Sequence, residues 1–458
     1  MPRLVVGLAV LALALTASPV CAQGYSVYEH SPCVMGRGGA GVASPCPDGS
    51  SVFFNPAGIA FTESQQLSFG ATMIRAVGDF TNDQTKIKSP LADKTQPVPA
   101  GYYVRRITPR FAAGLGVFVP YGLTTEWGES FEGRYLAYKS GLTGLYIQPT
   151  AAYRINDRVA VGLGVDITRL SVGLRQRADL SEVPLTGMPN VTFGMLGVPA
   201  GTDFADLELE GHGWGVGVHV GVQAKVTERV ALGARYLSGQ KVDIGSATVN
   251  TTQIMTGFRL PIPLGPGIPA GTPVDALLAS QFAEGGALSD QDATTELPLP
   301  AQLVLGAAFD VAPQAKLFVD YQFTNWSAFD VLVVDQEIGP DLVNVEDYNN
   351  THAFRAGVEY QLTPKAVVRG GFLAHGAASP DQTVTPLLPE GPRREYTVGF
   401  GTELARGVRF DIAYQYLDQS DRAGRTTDGG MAVPTVAVNN GVYRFTAHLV
   451  GFGVAFSF

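Results

Sequence analysis

The chain has 458 residues, a formal net charge of −9 and only 16% charged residues, against 10% aromatics and 55 glycines. Net acidity argues against a nucleic-acid partner. A glycine-rich, aromatic-rich, charge-poor composition suits many strands joined by tight turns.

Residues 1–22 read as a secretory signal. Arg3 supplies the positive start, residues 4–16 are an apolar run, and Val20 and Ala22 take the small-residue positions before a cut at Gln23. The run is shorter than the about 20 residues that a transmembrane helix needs. Cys21 raises a lipoprotein site, but Pro19 and Val20 stand where small residues are wanted, which favours simple cleavage. No later stretch reaches about 18 unbroken apolar residues, so the exported chain is either soluble or a membrane β-barrel.

Residues 23–64 lack strand alternation. They hold Gly36-Arg37-Gly38-Gly39-Ala40-Gly41-Val42-Ala43 and then Val52-Phe53-Phe54-Asn55-Pro56-Ala57-Gly58. The glycine run has no Lys-Ser/Thr ending and no preceding strand, which argues against a phosphate loop. Such a segment ahead of the first strand fits inside a barrel as a plug. Cys33 and Cys46 are an even pair in an exported chain and favour a disulfide, which would stabilise its loop by about 3 kcal/mol. A metal site needs more ligands than these, and neither a metal nor a cofactor is expected.

From Gln65 the pattern changes to paired strands, at roughly 65–77, 97–107, 110–119, 143–155, 158–175, 211–226, 229–245, 299–311, 315–329, 351–362, 365–376, 393–405, 407–418 and 441–458. Tight turns at Thr108-Pro109, Asn156-Asp157, Thr227-Glu228, Ala312-Pro313-Gln314, Thr363-Pro364 and Arg406 share one rim, and longer loops share the other. An all-β transmembrane antiparallel barrel of about 14 strands, with an N-terminal plug over 23–64 and the wall over 65–458, accounts for this. Alternation supports individual strands. Leu317, Val319, Tyr321 and Phe323 oppose Lys316, Asp320, Gln322 and Thr324, and Val408, Phe410, Ile412, Tyr414 and Tyr416 oppose Arg409, Asp411 and Gln415. The charged face belongs in the lumen, because a charge facing lipid at mid-depth costs about 2–4 kcal/mol. At the C-terminus, Phe458, Phe456, Val454, Phe452 and Val450 form one greasy face that lipid would cover. Arg444 and His448 fall on that same face, which requires either a bulge or a place above the bilayer.

Two long outer loops, 176–210 and 246–298, carry apolar clusters. The first holds Phe193, Met195 and Leu196. The second predicts a short helix capped by Thr272, with Pro273 at its first position and Val274, Leu277, Leu278 and Phe282 on one face. Either the loops pack on each other, or they form a surface groove that collects a hydrophobic ligand.

The ordered series of motifs resembles the FadL/TodX family of outer-membrane hydrocarbon and long-chain fatty-acid transporters. The series starts with Gly36-Arg37-Gly38-Gly39-Ala40-Gly41 and Phe53-Phe54-Asn55-Pro56-Ala57-Gly58 and continues with Leu297-Pro298, Asp320-Tyr321 and Asn325-Trp326-Ser327. Gly357-Val358-Glu359-Tyr360, Arg369-Gly370-Gly371, Leu388-Pro389-Glu390 and Asn440-Gly441-Val442-Tyr443 complete it, over nearly all of the mature chain. The cysteine pair is a departure from the family pattern.

The resemblance implies uptake of hydrophobic compounds into the outer membrane of a Gram-negative cell, with long-chain fatty acids first and aromatic or alkane hydrocarbons as the alternative. It implies a monomer whose partners are a hydrophobic ligand and outer-membrane lipid. It also implies a ligand groove at Phe193, Met195, Leu196, Leu277, Leu278 and Phe282, gating by Asn55, Pro56, Ala57 and Gly58, and lateral release beside a kinked strand, expected at Gly114 and Gly116. A fatty-acid carboxylate would need a cation such as Arg235, Arg355 or Arg369, each of which has the alternative of pairing with Asp320, Glu359 or Asp411. No nucleophile elbow or zinc-protease motif occurs, which argues against an enzyme. A general porin would want a charged constriction and no plug, and an adhesin or structural barrel is the remaining rival.

Overall fold

The computed structural model describes residues 24–83, 85–185, 188–339, 341–424, 427–428, 431–432 and 441–458; the expected signal segment, 1–22, lies outside them. The wall is a closed antiparallel barrel of 14 strands. They are β1 Gln66–Asn82, β2 Thr95–Arg106, β3 Phe111–Glu126, β4 Lys139–Arg154, β5 Val159–Asp179 and β6 Asp203–Thr227. Next come β7 Val230–Leu237 continued as Gln240–Gln253, β8 Gln291–Leu299 continued as Gln302–Ala312, and β9 Ala315–Thr324. The last five are β10 Thr351–Thr363, β11 Ala366–His375, β12 Arg393–Ala405, β13 Val408–Gln419 and β14 Gly441–Ser457. Each pairs with its successor, and β14 closes on β1 from Gln66 opposite Ser457 to Asn82 opposite Gly441.

One rim is made of the six short turns. Their side chains explain their tightness: Thr108 Oγ1 accepts from the Arg110 and Phe111 amides, Asn156 Oδ1 from Arg158 and Val159, and Thr363 Oγ1 from Lys365 and Ala366. At the opposite rim the wall rises further than expected. β5 has 21 residues and β6 has 25. At about 3.3 Å per residue β6 spans about 80 Å, well beyond an apolar band about 25 Å tall. The two outer loops therefore shrink to 180–202 and 254–290.

The outward face is greasy across mid-wall. Val161, Leu163, Val165 and Ile167 on β5 and Val216, Val218, Val220 and Val222 on β6 are exposed, while Asp320, Gln322, Arg355 and Asp411 are buried inside. β14 runs without a register shift against both neighbours, so no bulge turns Arg444 or His448 inward. They face outward near the upper end of the strand, where Arg444 pairs with Asp421 at 3.0 Å and His448 Nδ1 meets the Tyr414 hydroxyl at 2.8 Å.

The N-terminal segment fills the lumen. Ser31 caps helix α1 (Pro32–Met35) by accepting from the Val34 amide, and Pro32 sits at its first turn. Helix α2 (Ser51–Phe54) leads through Asn55 into a 3₁₀ turn, Pro56–Phe61. Phe53, Phe54, Ile59 and Val34 share one buried cluster with wall residues Tyr102, Val104, Phe118 and Tyr146. Cys33 and Cys46 are disulfide-bonded. Glycines on the wall make the fit close: a Cβ at Gly162, Gly221, Gly233, Gly357 or Gly371 would run into Pro56, Asn55, Val42, Arg37 or Gly38.

Candidate functional site

β2 carries Pro97 and Pro99, and β3 carries Pro120, so three backbone donors are missing where these strands would meet. Their ladder runs only from Arg106 opposite Ala112 to Gly101 opposite Val117. Above that, residues 95–100 pair with β1 alone, and β3 shifts register against β4 between Phe118 and Tyr121. The wall closes again higher up, where the Ala92 amide donates to Glu126 O at 2.8 Å and Lys94 pairs with Glu126 at 2.6 Å. Between these limits lies a window in the wall. The break falls at Val119-Pro120 and not at Gly114 or Gly116. Those two keep their places opposite Val104 and Tyr102 on β2 and opposite Thr150 and Gln148 on β4. A Cβ at Gly116 would come within 2.8 Å of Val52, so this glycine admits the N-terminal segment.

The start of the N-terminal segment covers the freed edge of β3. The Val27 amide donates to Pro120 O at 2.9 Å, and the Gly122 amide donates to Tyr25 O at 2.9 Å. Tyr25 is anchored in turn: its hydroxyl donates to Pro298 O at 2.7 Å, and its ring stands edge-on to Trp326 at 4.6 Å. His30 Nε2 bonds Val27 O at 2.9 Å, and burial pushes its pKa down to about 3, so it stays neutral.

Three cavities follow from the lumen to the window. The first, of about 260 Å³, lies high in the lumen between Leu123, Leu142, Val172, Leu297, Leu332 and Leu388. The second, of about 200 Å³, is bordered by residues 24–27, Glu29, Glu390, Arg393 and Glu395. The third, of about 360 Å³, lies at the window between Pro97, Val98, Pro99, Val119, Gly122 and Leu145. Leu123 lines all three, Tyr25 the first two, and Val27 and Gly122 the last two.

The expected site residues lie elsewhere. Asn55 is a tie: its Nδ2 donates to Val42 O at 2.8 Å and to Val222 O of β6 at 3.0 Å, while its Oδ1 accepts from the Ala57 amide at 3.1 Å. Pro56, Ala57 and Gly58 are buried beside it. Arg369 is clasped by Glu359 at 2.7 Å and Asp411 at 2.6 Å. Arg235 donates to Phe53 O at 3.2 Å and Gln302 Oε1 at 3.3 Å, and Arg355 to Gln322 Oε1 at 3.0 Å while lying over the Tyr28 ring. Asp320 accepts from the Gly41 and Val42 amides at 2.8 and 3.1 Å. None of the three arginines lines any of the three cavities. They brace the N-terminal segment and the wall instead.

The loop residues pack loop on loop rather than around a groove. Phe193 and Leu278 are buried in one cluster with Leu180, Phe204, Leu260 and Val274, against which Leu196, Leu277 and Phe282 also pack; Met195 stands out, 71% exposed. The predicted helix is Val274–Leu278, with Pro273 rather than Thr272 at its cap; Thr272 Oγ1 donates to Pro269 O at 2.7 Å. Pro97, Pro99 and Pro120 could have located the window from sequence, because proline inside a strand marks an unpaired edge. Nothing in the sequence marks Tyr25 or Leu123 as cavity residues.

The outer membrane protein transport protein (OMPP1/FadL/TodX) family model matches residues 13–458. A long-chain fatty acid transport protein of Salmonella typhi is 23% identical over 95% of this chain and 93% of its own length. A 47 kDa outer membrane protein of Pasteurella multocida is 25% identical over 89% and 90%. Among solved structures, a Pseudomonas aeruginosa FadL homologue has a TM-score of 0.77 at 21% identity, covering 95% of this chain and all of its own. The Pseudomonas putida toluene transporter TodX has a TM-score of 0.64 at 16% identity, covering 95% and 99%. The chain therefore belongs to the OMPP1/FadL/TodX family and is an outer-membrane transporter of hydrophobic compounds.

Proposed function

We propose that a hydrophobic molecule enters the lumen from outside, occupies the upper cavity and leaves sideways through the window between β2 and β3 into the outer membrane. The observation that carries this reading is the shared lining: Leu123, Tyr25, Val27 and Gly122 link the upper cavity to the window. Residues 25–27 stand between the cavities and act as the gate, while Asn55, Pro56, Ala57 and Gly58 hold the rest of the segment to the wall. A lateral exit spares an apolar molecule a passage through water. The protein works as a monomer.

For the substrate, the lining of the upper cavity supports a molecule without a carboxylate, since no Lys, Arg or His lines it among the described residues. Long-chain fatty acids are the second reading. The Salmonella typhi relative's name favours it, and so does Arg393, which borders the second cavity.

The test is uptake of labelled toluene, dodecane and oleate by cells with and without the protein, beside Gly122→Phe. A Cβ at Gly122 meets nothing closer than 3.4 Å, and the residue lines the window cavity, into which the ring is placed to block the passage. Uptake is expected to fall about tenfold at equal surface level. Full uptake by Gly122→Phe would sink the lateral route, and no dependence on the protein for any of the three would sink transport itself.

A further inference from the structure

Among the described residues, the upper cavity contains one buried carboxyl group with no structural employment. Glu346 follows a short strand, Leu342–Val345, and is 7% exposed. Its backbone is held: the amide donates to Asp330 O at 2.8 Å, and its carbonyl accepts from Thr383 Oγ1 at 2.7 Å. Its carboxyl group, by contrast, has neither a hydrogen-bond donor nor a cation beside it among the described residues. Burial alone pushes its pKa up to about 7. A buried carboxyl without a partner is costly, and the surroundings could have been filled with an apolar side chain at less cost.

This group lines the cavity together with Tyr25 and Tyr348. The rest of the lining is mainly apolar, and its other acid, Asp341, stands exposed. An ionised carboxylate brought into this space would find no cation, and would meet like charge wherever Glu346 is ionised. A head group that donates a hydrogen bond would instead satisfy Glu346, with its apolar body against Leu123, Leu142, Val172 and Leu332.

We propose that Glu346 is the polar anchor of the upper cavity, and that its ligand is an apolar molecule whose head donates a hydrogen bond, an alkyl alcohol or alkylamine rather than a carboxylate. This assignment rests on the transport reading above. The neutral and the charged donor share the same chemistry at Glu346, and the probes below separate them.

The experiment measures binding of labelled 1-dodecanol, dodecylamine, dodecanoate and dodecane to the purified full chain in lipid nanodiscs, for wild type, Glu346→Gln and Glu346→Leu. Wild type is expected to bind dodecanol or dodecylamine at least tenfold more tightly than dodecanoate. In Glu346→Leu the ratio of dodecanol to dodecane affinity falls about tenfold. Glu346→Gln keeps an acceptor oxygen, so it retains a preference for dodecanol but loses any extra preference for the amine. Dodecanoate binding as tightly as dodecanol in wild type, or an unchanged ratio in Glu346→Leu, overturns the anchor while leaving transport standing. Failure of all four probes to bind wild type overturns both.

Discussion

Two buried charged sites in this lumen contrast with each other. Arg369 on β11 lies opposite Glu359 on β10 and reaches Asp411 on β13, which also takes Arg409 at 2.8 Å. Every charge there has an opposite within hydrogen-bond reach, and Gly36 of the N-terminal segment packs against the Arg369 stem. Glu346 is about as deeply buried, yet only its backbone is bonded. Burying a charge costs the same solvation in either place. What differs is what offsets it: neighbouring wall strands at Arg369, and no side chain among the described residues at Glu346. A closed network is architecture, whereas a charge left open toward a cavity marks where something else arrives.

That contrast can be broken by substitution. Arg369→Met removes the ion-pair partner of Glu359, leaves Asp411 with Arg409 alone, and is expected to destabilise the barrel by about 3–5 kcal/mol, read from urea unfolding in liposomes. A loss below about 1 kcal/mol would mean that the network is not structural.

Glu346→Gln should go the other way, and only at some pH values. Folding raises this carboxyl from the usual carboxylate range to about 7, so the folded chain holds the proton more tightly than the unfolded one. Its contribution is therefore fully present below the usual carboxylate pKa, is lost as pH rises to about 7, and stays lost above. The groups facing it, Tyr25 and Tyr348, are neutral throughout. Relative to wild type, the variant should gain on the order of 3 kcal/mol between pH 4 and pH 8. A pH-independent difference would show that the carboxyl is solvated or already paired.

Gly141 lines the same cavity, and a Cβ there meets nothing within 4 Å. Gly141→Leu is expected to lower ligand affinity about fivefold by occupying space, with unfolding unchanged. The smallest effect belongs to an exposed pair outside the lumen, Lys241 with Glu296 at 2.8 Å. Lys241→Ala should be indistinguishable from wild type in both stability and uptake.

The wall was legible wherever lipid imposes a two-residue period. Val216, Val218, Val220 and Val222 could not be misread, and neither could the turns at Asn156 or Thr363. Above the membrane that constraint ends. β5, β6 and β7 continue into water, where Asp206, Glu208 and Glu210 replace the greasy outward face of β6, and the pattern that marks a lipid-facing strand is absent from their outer ends. The N-terminal segment carries its own motif, but the role of Asn55 depends on Val222, a partner far along the chain. Alternation places Arg235 and Arg355 in the lumen, but their neighbours Phe53, Gln302, Gln322 and Tyr28 come from distant parts of the chain. Glu346 lay in Asn344-Val345-Glu346-Asp347-Tyr348, which resembles an ordinary polar loop. Its burial depends on how loops from β9 and β11 meet over the lumen, and no local pattern encodes that.

The seam between β1 and β14 has a consequence for how the molecule is made. Its ladder joins residues 66–82 to residues 441–457, among the most distant partners the chain can offer. Contacts of such high sequence separation form late, because ring closure must be achieved before any of them is rewarded. Gly451 and Gly453 of the last strand pack directly on Met35 and Pro32. The N-terminal segment, although made first, therefore cannot reach its final packing until the C-terminal strand is in place. Loss of the last few residues should accordingly disturb helix α1 as much as the wall itself.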